Sequence, residues 1–108
     1  MQREDFGEEI ASSEYVFRFP DGSERPVRVR VGRPYVDGKA AWACPVELAG
    51  FERRYPDIVG EDSLQALSLA LTLAWRRLQD FVDKGGVVLD RERNTYTLDE
   101  LRRILGRY

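Results

Sequence analysis

The chain has 108 residues, enough for one hydrophobic core and too few for a second domain. Its hydrophobic share of 43% and charged share of 33% describe an ordinary globular chain and exclude a disordered one, and the formal net charge of −2 gives no overall pull toward nucleic acid or an anionic membrane. Cys44 is the lone cysteine, which excludes an intramolecular disulfide, and with no histidine the usual acid–base group near neutral pH is missing.

In chain order, residues 1–12 read as a frayed acidic lead-in without the apolar stretch of a secretory signal, which makes the cytoplasm the expected location. From Glu14, the aromatic residues Tyr15, Phe17 and Phe19 alternate with Val16 and Arg18, the period of a strand with one buried face. Pro20-Asp21-Gly22-Ser23 is turn chemistry, and the chain returns as Val27, Val29 and Val31 with Arg28 and Arg30 between them. A hairpin follows, with valines inward and guanidinium groups outward. Gly32-Arg33-Pro34 ends its second strand. A third strand places Trp42, Cys44, Val46 and Leu48 on one face, with Pro45 forcing an edge or a bulge because it has no N–H to donate. Residues 55–59 could add a fourth strand, weakened by Pro56.

Asp62 then caps a long helix, with Gln65 in the capping-box position. At about 100° per residue, Leu64, Leu67, Ala70, Leu71, Ala74, Trp75, Leu78, Phe81 and Val82 form one broad apolar stripe. A smaller second stripe, Ala66, Leu69 and Leu73, points elsewhere and requires cover, either from the C-terminal tail or from a second copy of the chain in a homodimer. Gly85 stops the helix. The tail, residues 87–108, offers a short strand at Val87-Val88-Leu89 and a helix opened by the capping box Thr97-Leu98-Asp99-Glu100. The predicted fold is one α+β domain: an antiparallel meander of three or four strands on one long helix, with a short C-terminal helix. The longest apolar segment, residues 66–75, is too short to span a bilayer, which takes about 20 apolar residues.

Trp42-Ala43-Cys44-Pro45, together with the helix start Asp62-Ser63-Leu64-Gln65-Ala66-Leu67-Ser68-Leu69-Ala70, resembles a family of small bacterial domains of unknown function. The turn region Asp21-Gly22-Ser23-Glu24-Arg25-Pro26-Val27 is similar to that family's first hairpin. The resemblance covers roughly residues 14–82 and leaves out the tail after Gly86. It implies a bacterial, intracellular, strands-then-helix domain and carries no activity with it.

Chemistry is sparsely provided. Cys44 shares a strand face with Trp42 and Val46 and reads as a core thiol; a nucleophile there would need a neighbouring base or a helix N-terminus. Asp57, Glu61 and Asp62 could gather around a divalent cation, but helix capping accounts for Asp62 more simply. No cofactor or metal is expected. Arg18, Arg28 and Arg30 fall on the outer hairpin face, where cross-strand neighbours are about 5 Å apart and like charges repel unless acids such as Glu14 or Glu47 interleave. That face could bind an acidic partner or a nucleic-acid backbone, although no aromatic residues accompany it to stack bases. The leading expectation is a cytoplasmic protein-interaction module, immunity-like or regulatory, using Arg18, Arg28 and Arg30 or self-associating through Ala66, Leu69 and Leu73. A nucleic-acid-associated module is the alternative, and a small enzyme the remotest.

Overall fold

The computed structural model describes residues 5–38 and 40–107. The elements run β1 (Glu9–Arg18), β2 (Glu24–Gly32), β3 (Tyr35–Val36), β4 (Trp42–Cys44), β5 (Val46–Ala49), β6 (Ile58–Gly60), α1 (Ser63–Asp83), β7 (Val87–Leu89) and α2 (Leu98–Ile104). The α+β class, the antiparallel pairing, the long helix and the short C-terminal helix are all present. The strands, however, divide between two sheets, β5-β2-β1-β7 and β3-β4-β6.

Pro45 makes that division. The expected third strand is cut at this buried proline, which has no N–H to donate and keeps only its carbonyl paired, with the Gly32 N–H at 2.9 Å: β4 before it joins the small sheet and β5 after it joins the large one. The predicted fourth strand forms as β6, beginning at Ile58 beyond Pro56 and pairing with β4.

The hairpin of β1 and β2 places Tyr15 opposite Val27 and Ser13 opposite Val29, so the inward side chains meet across the sheet. The frayed lead-in expected over residues 1–12 does not extend through residues 6–12. The first four residues of the chain lie outside the described residues, Phe6 is buried, and β1 already begins at Glu9. Phe6 explains this ordering, because its ring lies 3.8 Å from the Arg30 guanidinium carbon and packs toward Gly32 and Pro45.

α1 covers both sheets. Asp62 is its N-cap, accepting from the Gln65 N–H at 2.7 Å, while Gln65 Oε1 accepts from the Glu61 N–H. The helix closes with the Gly85 N–H on the Val82 carbonyl and the Gly86 N–H on the Phe81 carbonyl, Gly85 supplying the left-handed φ of 96°. Its buried line is Ala66, Ala70, Ala74, Leu78 and Phe81. Small side chains along the first turns let the helix backbone approach closely: a Cβ on Gly60 would stand 2.5 Å from the Ala66 nitrogen. At the other end Phe81 stacks on Phe17 at 4.3 Å, with Phe51 edge-on at 5.4 Å. Fully burying one such aromatic or aliphatic side chain stabilises the fold by about 1.5–3 kcal/mol before conformational entropy is set against it.

Two further pieces complete the molecule. Arg77 of α1 holds Glu52 through Nε at 2.8 Å and Nη2 at 3.0 Å, and the Tyr55 hydroxyl donates to the same carboxylate, which fastens the loop between β5 and β6 to the helix. In the tail, β7 pairs with residues 16–18 of β1, and α2, with the predicted capping box, buries Leu101 and Leu105 in the main core.

Candidate functional site

The structure gathers Arg18, Arg28 and Arg30 on the outer face of the large sheet and neutralises each of them. Arg18 Nε donates to Glu24 at 2.9 Å, Arg28 donates to Glu9 at 2.5 Å and to Glu14 at 2.9 Å, and Arg30 meets Glu47 at 2.7 Å. Glu14 and Glu47 interleave as their registers predict, opposite Arg28 and Arg30. Glu9 arrives by a different route. The register with β2 shifts between Glu9 and Ala11, a bulge at Ile10, and this extra residue turns Glu9 onto the outer face and Ile10 off it. Strict alternation from Tyr15 would have placed Glu9 inside.

Arg91 and Arg93, from the loop after β7, add to the ladder on Glu14 and Glu24. Hydrogen bonds from Arg93 first and Arg18 second pull the Glu24 carboxyl down to about 2, and the hydrogen bond from Arg28 lowers that of Glu9. The face is a solvent-facing lattice of matched charges, each pair contributing little to stability.

The three residues read as a self-association stripe separate. Ala66 is 0% exposed, locked against Gly60, and leaves the stripe; this corrects its sequence assignment, because the close approach of the helix takes the alanine line inward instead of the leucines. Leu73 is half-buried against the core, and Leu69 keeps 43% exposure. The tail reaches α1 on the neighbouring side, where Arg107 donates to the hydroxyls of Ser68 and Thr72.

The rotation that buries Ala66 expels Leu64, which stands 73% exposed in the first helical turn although its spacing assigned it to the core. Leu64, Leu67, Trp42, Pro34 and Ile10 line an open groove of about 530 Å³ between the start of α1, the small sheet and the bulge of β1. Val36, also exposed, follows beside Trp42, its register partner. The sequence signal for this groove was Leu64 itself, two residues after the N-cap and so beyond the cover of the sheet.

The reactive candidates occupy structural positions. Cys44 is fully buried, its thiol donating to the Gly32 carbonyl at 3.4 Å, and burial, with the Asp57 charge second, pushes its pKa up to about 12. Asp57 is buried and accepts from the Tyr35 hydroxyl at 2.5 Å and from Arg54 Nη2 at 2.7 Å. Asp62 is committed to the helix cap. Among the described residues, no three metal-ligating side chains converge.

Comparison with known families supplies the remaining observation. Residues 13–99 match a domain of unknown function, DUF6968. The chain belongs to the DUF6968 family. The matched span of this DUF6968 domain takes in both sheets except the first four residues of β1, all of α1 and the cap of α2, so β7 and Tyr96 lie within it along with most of the hairpin. That agrees with the resemblance to an unknown-function family and extends it past Gly86. No curated protein and no solved structure matches the chain. Among the described residues, no helix is long and apolar enough to cross a membrane.

Proposed function

We propose that this DUF6968 domain is a protein-interaction module of the bacterial cytoplasm, an immunity-like or regulatory subunit, and not an enzyme. The observation that carries this reading is the groove of Ile10, Pro34, Trp42, Leu64 and Leu67, where a 73% exposed leucine stands beside a half-buried tryptophan. Contiguous exposed apolar surface marks interaction sites, and tryptophan is enriched among the residues that anchor them. The guanidinium groups of Arg18, Arg28 and Arg30 are already matched by Glu24, Glu9, Glu14 and Glu47, which favours the groove over the arginine face and counts against a phosphate backbone as partner. Self-association through the second stripe is likewise disfavoured, since Ala66 is buried and only Leu69 stands clear.

The test is affinity capture from the native bacterium with the unmodified protein, Leu64→Glu and Arg30→Gln side by side. A specific protein retained by the unmodified form and by Arg30→Gln, and lost from Leu64→Glu, is the expected result. Loss from Arg30→Gln with retention by Leu64→Glu would move the working surface to the sheet face and overturn this assignment.

A further inference from the structure

One edge of the large sheet is left open over most of its length. β7 covers β1 only at residues 16–18, while β1 extends back to Glu9. The direction of the open backbone groups follows from the ladder. The Val88 carbonyl accepts from the Tyr96 N–H, so Val88 faces away from β1, and Val87 and Leu89 face toward it. Their partners Arg18 and Val16 therefore turn their backbone groups to this edge, and by the period of two so do Glu14 and Ser12. Among the described residues, nothing pairs with the backbone of Ser12 or Glu14 on that side.

The other edges of this sheet are managed. β5 is short and bounded by Pro45 and Gly50, and β7 is short and closed by Thr95 and Tyr96. The run Ile10-Ala11-Ser12-Ser13-Glu14 contains no proline or lysine to repel another strand.

Space on both faces of this edge specifies what fits. Toward the helices lies an apolar cavity of about 120 Å³, lined by Ala11, Val31, Leu71, Ala74 and Leu105. That is near the ~150 Å³ of an apolar cavity known to hold benzene, so it suits one aliphatic side chain. On the outer face lies a solvent-open cleft of about 560 Å³ beside Ser12 and Glu14, walled by Asp90, Arg91 and Glu92. Its two arginines, Arg28 and Arg91, are taken by Glu14 and Glu9, whereas Asp90 and Glu92 form no ion pair among the described residues. The cleft is thus set for a cation.

We infer that the open edge of β1 receives an extended peptide segment of a partner protein by strand addition, with an aliphatic side chain in the inner cavity and lysine or arginine on either side of it in the outer cleft. A second copy of the chain fits less well. Its own β1 would present Ala11 and Ser13 on the inner side, both too short for the cavity and one of them polar. This inference deepens the interaction reading and rests on it, because Ile10, which lines the apolar groove, is also the first residue of the open run.

The probe is a capped heptapeptide alternating lysine and leucine, followed by amide hydrogen exchange on the full chain. In the free protein the Ser12 and Glu14 amides exchange quickly. Millimolar peptide slows both by about tenfold or more, as sheet pairing does. A leucine–glutamate peptide does not. Ser12→Pro removes only the edge-facing N–H and abolishes the effect, while Ser12→Thr retains it. If Ser12→Pro fails to fold, a lysine–leucine peptide N-methylated on its edge-facing amides takes its place and must lose the effect. No slowing, equal slowing by the glutamate peptide, or protection of Ser12 and Glu14 that rises with concentration of the protein alone overturns the inference, the last by giving the edge to a second copy. Partner capture that depends on Leu64, without slowing at Ser12, overturns strand addition alone. Slowing at Ser12 without any Leu64-dependent capture overturns the groove assignment alone.

Discussion

Glu24 joins the turn of the first hairpin to a loop 69 residues further along, because Arg93 meets its carboxylate with both terminal nitrogens, at 2.8 and 2.7 Å. Hydrogen bonds from Arg93 first, then Arg18, carry its pKa from 4.5 down to about 2, so folding favours the ionised form. The sign follows directly. The contribution is complete above the unfolded value of 4.5 and is lost as pH falls from there through about 2. Carbon-detected NMR titration of the Glu24 carboxyl should show this low midpoint, and in Arg93→Ala the midpoint should climb back toward 4.5 without reaching it, since Arg18 remains. A midpoint unchanged in Arg93→Ala would show that the loop does not hold Glu24 in solution. Among single residues, the sequence made Arg18, Arg28 and Arg30 visible together with part of their neutralisation. Glu14 and Glu47 follow from register, whereas Glu9 needs a bulge that no residue type at Ile10 announces.

Among the elements, local chemistry was the legible part. The hairpin turn, the caps at Asp62 and Thr97, and the stop at Gly85 are each written in a few adjacent residues, and each forms. Two long-range features were hidden. The alternation Trp42, Cys44, Val46, Leu48 continues evenly across Pro45, so nothing in it reveals that the two halves pair in different sheets. The facing of α1 was legible from Ala70 through Ala74 and Leu78 to Phe81, all of them buried, and hidden only in the first turn, where Ala66 goes inward and Leu64 stays out because the helix axis comes so near β6. Gly60 permits that approach, and it gives a sharp test. Gly60→Ala forces a Cβ against the helix backbone at Ala66 and should lower unfolding stability by about 2–3 kcal/mol, read from urea denaturation. Gly38→Ala, where a Cβ meets nothing within 4 Å, should stay within about 0.5 kcal/mol. Equal effects from the two would mean that the helix does not sit on β6 as described.

At the scale of the whole molecule, the tail is part of the core. Leu101 is fully buried and belongs to the same cluster as Tyr15, Val29 and Ala74. Leu101→Ala should therefore cost about 2–4 kcal/mol, with tryptophan fluorescence and circular dichroism still reporting one transition, while the exposed Ile104→Ala changes little. A small Leu101 effect, or two separated transitions, would make α2 an appendage. The pairing of Phe17 with Val88 has a further consequence during synthesis. The hairpin emerges from the ribosome early, but its partner strand follows only after all of α1. Until then the nascent chain carries a longer bare edge than the finished protein, running to Arg18, with the Phe17 ring not yet stacked on Phe81. The interval between those two events is when this chain is most exposed to misassembly, and slowing translation within the α1 codons would lengthen it.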